Sequence, residues 1–318
     1  MKKILSINGG GIKGTFAAAF LASIEDTLKS PVADYFDLIV GSSTGGIIAL
    51  GLGLGLSGND ILNFYRQEGP NIFAVNNISK YFRWIFTSKF DDQPLKQALH
   101  KSFEDKKLGD SKKRLIIPSL SLETGDLYLY KTAHHPRLEF DYKVKAVDVA
   151  LATSAAPTYF PIHQIKGTPF IDGGVWANNP TDIAIIEAIS VLNWNKSEIK
   201  VLNLGCTYSP FDVEKLRKSK KNKYSGIFQW AKGRKLLKVF MESQEKASLA
   251  KGQLLVGKEN VFHINPVVPE GRYSLDNATE IESLIGLGQE KAREAFPDLK
   301  NAFFQIKADD FVPYKTLR

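Results

Sequence analysis

"SINGGGIKG", Ser6–Gly14, and "LIVGSSTGG", Leu38–Gly46, are built alike: an apolar run, a tight glycine cluster, then residues of helical character. The first apolar run, Lys3–Ile7, reads as a buried strand. Gly14–Leu28 reads as a helix, because Ala17, Ala18, Phe20, Leu21 and Ile24 recur at helical spacing. Pro31 and Val32 end that element. Tyr35–Val40 then reads as a second strand and Gly45–Leu56 as its helix. Gly51, Gly53 and Gly55 each cost that helix about 1 kcal/mol of propensity, so it makes sense only if it is buried with other backbones pressed against it. Ser57, with Asp60 three residues on, caps a further helix. A strand–helix–strand–helix start predicts an α/β fold, with a mostly parallel central sheet and helices on both faces.

Further strands are expected at Arg114–Leu122, Leu127–Lys131, Thr168–Ile171, Ile199–Leu204 and Val261–Ile264. Helices are expected at Gln93–Phe103, Lys145–Thr153, Thr181–Leu192, Leu236–Leu255 and Thr279–Ala295, with a short run at Lys300–Phe304. There are no internal repeats and no low-complexity linker. The expectation is one domain over residues 1–318, with a core at 4–206 and a helical C-terminal extension, 207–318, packed on it.

The 318 residues can bury a sizeable core, and 43% hydrophobic with 24% charged residues is ordinary for a globular protein. The apolar run Ile4–Ile7 is cut at once by Asn8 and glycines, so no secretory leader is read there. Gly45–Leu56, the longest apolar run, is too short to span a bilayer. Cys206 is the only cysteine, which excludes an intrachain disulfide and a cysteine-based zinc site; no metal site is expected. A cytoplasmic protein is the resulting expectation. The net charge of +8 is uneven: Lys215–Lys246 holds eleven Lys and Arg against Glu242 and Glu245. That segment is either a solvated basic face or a surface that meets phosphates.

Gly9-x-Gly11-x-x-Gly14, after a strand and before a helix, fits a dinucleotide-binding turn. That fold also wants an acid at the tip of its second strand. Here Asp37 stands at the start of "DLIVGSS" and no acid stands at its tip. The second turn fits better. Gly41-Ser42-Ser43-Thr44-Gly45 matches G-x-S-x-G, the nucleophile elbow, in which a strand reverses sharply into a helix and the central serine is exposed. Ser43 would lie at a helix start, where free N–H groups favour negative charge. An acyl-transfer enzyme also needs N–H donors aimed at the developing oxyanion. The first turn, Gly9, Gly10 and Gly11 with Gly14 behind, could supply them, or it could be a packing turn only.

The serine needs a base. In the chain order Ser…Asp…His only His263, in "NVFHINP", could serve, and a histidine at a strand end is commonly structural. The alternative is Asp172 in "FIDGGVWANNP", Phe170–Pro180. Gly173 and Gly174 leave room for another loop to approach its carboxylate, and burial would raise its proton affinity into a useful range.

"GGGIKG", "GSSTGG", "ATSAAPTYFP" at Ala152–Pro161 and "DGGVWANNP" at Asp172–Pro180 stand in the order and spacing of the patatin-like phospholipases, which this sequence resembles over about Ile4 to Cys206. The resemblance implies a patatin-like three-layer sandwich and a Ser–Asp dyad, mapping onto Ser43 and Asp172. It implies an oxyanion hole from Gly9–Gly11, a basic residue at Lys13, and no cofactor for catalysis. Gly41 and Gly45 frame the elbow, and Gly173 and Gly174 complete the DGG motif.

A narrower resemblance runs through "STGGIIALGLGLGLSGNDILNFYRQEGPNIF", "WAKGRKLLKVFMESQEKASLAKGQLLVG" and "FHINPVVPEGRYSLDNATEIESLIGLGQEKAREAF". These segments are similar to the CapV group, the patatin-type effectors of bacterial CBASS antiphage systems. That resemblance implies activation by a cyclic dinucleotide, typically cyclic GMP–AMP, made by a partner synthase. It further implies a homo-oligomer, hydrolysis of the cell's own phospholipids at the inner face of the membrane, and no DNA or RNA partner. An unregulated acyl hydrolase is the alternative. Arg234, beside Tyr224, Phe228 and Trp230 in the basic segment, is the candidate for cyclic-dinucleotide binding or for a subunit contact, against a simple attraction to anionic lipid. "YFRWIFTSKF", Tyr81–Phe90, reads either as the wall of an acyl pocket or as a membrane-facing lid.

Overall fold

The structure is a computed structural model that describes residues 1–74, 87–210 and 235–317. The chain opens with strand β1 (Lys2–Ile7), helix α1 (Gly14–Leu28), β2 (Leu38–Gly41), α2 (Thr44–Gly53) and α3 (Gly58–Ile72). It continues through α4 (Gln93–Phe103), β3 (Arg114–Ser121), β4 (Leu127–Lys131), α5 (Ala146–Ser154), β5 (His163–Ile165) and β6 (Thr168–Asp172). The rest comprises α6 (Gly174–Ala177), α7 (Thr181–Ser190), β7 (Ile199–Leu204), α8 (Lys235–Val256), β8 (Val261–Ile264) and α9 (Ile281–Phe303).

The strands form one mixed, mostly parallel sheet in the order β5-β6-β3-β2-β1-β7-β8, with β4 added to β3. From β3 to β8 every neighbour is parallel, as helical crossovers require, whereas β4 and β6 pair antiparallel with β3 and β5 pairs antiparallel with β6. Alternation along the parallel strands separates two cores. Ile4, Leu38, Val40, Ile116 and Val201 face Ala184, Ile185 and Ala188 of α7 and Val256 of α8. Leu5, Ile7, Ile39, Leu115, Ile117, Leu202 and Leu204 face the other way, under α1, α2, α4, α5 and α9. Residues one apart in a strand point to opposite faces, so two buried faces demand two helical layers. This is the expected three-layer sandwich.

The differences from expectation are local. Val32–Tyr35 is a short 3-10 turn, so β2 begins at Leu38. The helix after the elbow stops at Gly53, three residues short of Leu56. β5 and α6, three and four residues long, are too brief to leave a period in the sequence. The break expected after Ala295 is absent, because α9 runs unbroken through Pro297 to Phe303. Tertiary contact outweighs the lost hydrogen bond: Leu299, Ala302 and Phe303 beyond the proline are buried, and Phe303 packs against Phe36 and Phe262. Among the described residues, no helix is long and apolar enough to cross a membrane.

Candidate active site

β3 decides where the site forms. It pairs with β2 through Arg114–Ile116 and with β6 through Ser119–Ser121, while β4 covers Ile116–Leu120. A strand has two edges. Since β4 overlaps both partners, β2 and β6 must share the opposite edge. They run antiparallel to each other, so their C-terminal ends meet head to head. Gly41 ends one and Asp172 ends the other, with a gap of a few residues that the elbow fills.

The elbow is strained and interlocked with the first glycine turn. Ser43 caps α2 at φ 55° and ψ −125°, a region that side chains rarely occupy outside functional turns. A Cβ on Gly45 would lie 2.3 Å from the carbonyl oxygen of Ile7, and one on Gly41 would lie 2.0 Å from that of Gly45. The two turns therefore touch backbone to backbone, which explains why both need glycine. Thr153, near the end of α5, holds the strained turn: its Oγ1 accepts the Ser43 amide at 3.0 Å and donates to the carbonyl of Pro118.

Ser43 Oγ donates to Asp172 Oδ2 at 2.7 Å, and the Gly174 amide donates to Asp172 Oδ1 at 2.6 Å. Asp172 is 5% exposed. Burial pushes its carboxyl up to about 7, overcoming the two hydrogen bonds that favour the anion. Both side chains open onto a cavity of about 200 Å³, which Ile47, Phe64, Ile72, Phe73, Leu95 and Phe160 make apolar. Such a cavity suits an acyl chain, with the hydroxyl and the carboxylate at its polar end.

Gly10 and Gly11 line the same cavity. Among the described residues their amides have no acceptor, whereas the Gly9 amide is already given to the carbonyl of Asn178 at 2.9 Å. Of the three expected donors, Gly9 is therefore committed elsewhere, and Gly10 and Gly11 are the two left without an acceptor among the described residues. Lys13 reaches the carbonyl of Thr207 at 3.3 Å and so ties the first turn to the end of β7. Gly14 packs against Thr44.

His263 is kept apart from Ser43. It lies on β8, with β1 and β7 between, about 14 Å away at ordinary strand spacing. Its Nδ1 is bonded to Asn203 Oδ1 at 2.6 Å, and burial pushes the imidazole down to about 4. Arg234 and most of the basic segment, and residues 81–86 of the aromatic run, lie outside the described residues. Phe90, the last residue of that run, is buried behind the cavity lining, against Phe73, Tyr159 and Phe160. Thr153 was not singled out by sequence reasoning, although it lies inside the quoted "ATSAAP" run. Its role depends on a partner 110 residues away.

Comparison with known proteins gives a consistent picture. Residues 5–185 match the family model described as "Patatin-like phospholipase". A Vibrio cholerae serotype O1 protein named "cGAMP-activated phospholipase" is 32% identical over 97% of this chain and 96% of its own length. An Escherichia coli (strain TW11681) protein of the same name is 32% identical over 95% of this chain and 92% of its own. One from Pseudomonas aeruginosa (strain BWHPSA011 / Pa011), again of that name, is 38% identical over 64% of this chain and 61% of its own.

Proposed function

Since the chain belongs to the patatin-like phospholipase family, we propose that it hydrolyses acyl ester bonds of membrane phospholipids through Ser43 and Asp172. The observation that carries this reading is the 2.7 Å contact between them at the mouth of an apolar cavity. Ionised Asp172 takes the Ser43 proton as Oγ attacks the ester carbonyl carbon. The negative charge that gathers on the carbonyl oxygen is met by the amides of Gly10 and Gly11. When the intermediate collapses, the C–O bond to the lysolipid breaks and Asp172 returns the proton to the leaving oxygen. Water, deprotonated by the same carboxylate, then attacks the acyl carbon; the bond from that carbon to Ser43 Oγ breaks, Asp172 returns the proton to Oγ, and the fatty acid leaves.

Three relatives named for activation by cGAMP, two of them matched over more than 90% of both chains, support a second layer to this reading. The enzyme is held at low activity until cyclic GMP–AMP binds. The activator comes from a partner synthase in an antiphage CBASS system, the active form is a homo-oligomer, and the substrate is the inner face of the cell's own membrane. Arg234 remains the candidate contact for the nucleotide. The test is release of fatty acid from phospholipid vesicles and cleavage of a soluble ester, each with and without cyclic GMP–AMP. Stimulation of both assays is expected. A rate that is the same with and without the nucleotide leaves an unregulated acyl hydrolase. No cleavage of either substrate under any condition removes the enzyme reading.

A further inference from the structure

A run of three glycines carries no side chains with which to hold its own shape. The placement of Gly9–Gly11 must come from its neighbours. The last side chain before the run is Asn8, and its partners lead away from β1. Its amide donates to the carbonyl of Leu204, and its Oδ1 accepts from Asn203 Nδ2 at 2.7 Å. Its Nδ2 donates to Glu245 Oε1 at 2.9 Å.

Glu245 sits on α8, and its own contacts fall on active-site loops and their supports. Glu245 Oε1 also accepts from Asn265 Nδ2 at 2.8 Å, just past β8. Its main-chain oxygen accepts from Asn179 Nδ2 at 3.4 Å. The preceding residue, Gln244, donates through Nε2 to the carbonyl of Val175 at 2.9 Å. Val175 and Asn179 lie in the stretch that follows Asp172, and Asn178 between them accepts the Gly9 amide. One turn of α8 thus grips the loop that carries the glycines and the loop that follows the base.

We propose that Glu245 is a positioning residue for the reaction: through Asn8 it seats α8 against the glycine turn, so that the placement of the Gly10 and Gly11 amides depends on this contact. The inference rests on the reading of those amides as oxyanion donors. Glu245 touches neither the substrate nor the reacting atoms. Loss of its acceptor lets the glycine turn drift, which weakens stabilisation of the transition state and leaves the acyl cavity intact. A glutamine at this position keeps the link to Asn8, because the Asn8 and Asn265 donors converge on Oε1 and an amide oxygen has two lone pairs to receive them, while the Asn178 side chain, a further partner of the carboxylate, gives up its bond.

The test is steady-state kinetics on a soluble ester, with the full chain and under the conditions in which the wild type turns over, for Glu245→Ala, Glu245→Gln, Asn8→Ala, the double alanine variant and Gly10→Ala. Thermal melts are run on each. Glu245→Ala and Asn8→Ala should each lose about 10- to 100-fold in kcat, with KM within about twofold. The double variant should be little worse than either single one, since both break the same link. Glu245→Gln should recover the rate to within about threefold of wild type. A folded Glu245→Ala enzyme with wild-type kcat, a loss confined to KM, or a Glu245→Gln variant as slow as alanine overturns the proposal. If Glu245→Ala does not fold, Asn8→Ala and Glu245→Gln decide by the same criteria. Gly10→Ala separates the two layers of the argument, because its Cβ would lie 2.4 Å from that of Cys206 and must displace the turn. If that variant keeps full kcat, the oxyanion reading itself fails. If it loses kcat while Glu245→Ala does not, only the role of Glu245 fails.

Discussion

The Ser43 hydroxyl donates to Asp172 Oδ2 at 2.7 Å across a junction where two strands meet end to end on one edge of β3. The carboxylate's second oxygen is held by the Gly174 amide. Strand register and that one backbone bond set the carboxylate, while the elbow that Thr153 holds sets the serine.

If these two residues form the dyad, Ser43→Ala and Asp172→Ala should each abolish ester hydrolysis while the protein still folds. His263→Ala should turn over orders of magnitude faster than either. Circular dichroism together with an esterase assay checks all three variants. A His263 variant as dead as the Asp172 one would restore the triad.

Asp172 must be ionised to take the proton, and burial sets its carboxyl at about 7. The acid limb of kcat/KM should therefore rise with pH and level off above about 7. A profile that is flat from pH 5 to 8 would exclude this base.

The same shift has a consequence for stability. The folded-state value of about 7 stands above the ordinary 3.8, so the folded state holds this proton more tightly than the unfolded chain does. Stability from this group is lost as pH rises between those values. Asp172→Asn removes the buried charge and should be more stable than wild type above pH 7, by about 2–4 kcal/mol. The difference should vanish near pH 4. Urea melts of both proteins at pH 4.5 and pH 8 measure it, and an equal gap at both values would contradict the assignment.

Thr153→Val leaves the Ser43 amide without its acceptor and should cost about 1–3 kcal/mol of stability. The elbow would relax, and kcat should fall by about tenfold or more. Thr153→Ser, which keeps the hydroxyl, should recover most of both. Melts and kinetics on the two variants distinguish the lost hydrogen bond from lost packing.

Gly11 sits at φ 57°, and a Cβ there would lie 2.2 Å from the carbonyl oxygen of Leu275. Gly10→Val and Gly11→Val should lose about 10²–10³ in rate, the usual cost of an oxyanion donor. Binding to phospholipid vesicles, followed by cosedimentation, should change little. A normal rate in both would make the turn purely structural.

Much of the fold was legible because its causes are local. Strand β1, helix α1 and the elbow each announce themselves within ten or fifteen residues, through apolar period and glycine placement. The capping box at Ser57 and Asp60 forms as its spacing requires. Where elements are too short to show a period, as in β5, or where packing outweighs a local penalty, as at Pro297, the pattern misled.

By itself the sequence determined the α/β layering, a candidate nucleophile at Ser43 and two candidates for its base. All of these follow from residue spacing and from steric rules that act over a few bonds. Only the tertiary structure decided which of the two lies beside Ser43. Asp172 reaches Ser43 because β6 shares an edge of β3 with β2, and His263 is held away because two strands intervene. Strand order is a long-range property, so residues 129 apart become partners while no local pattern records it. The tertiary structure likewise decided that Gly9 is engaged and that Glu245 grips the glycine turn. Hydrogen bonds have one donor and a limited set of acceptors, and which ones meet depends on how distant segments pack.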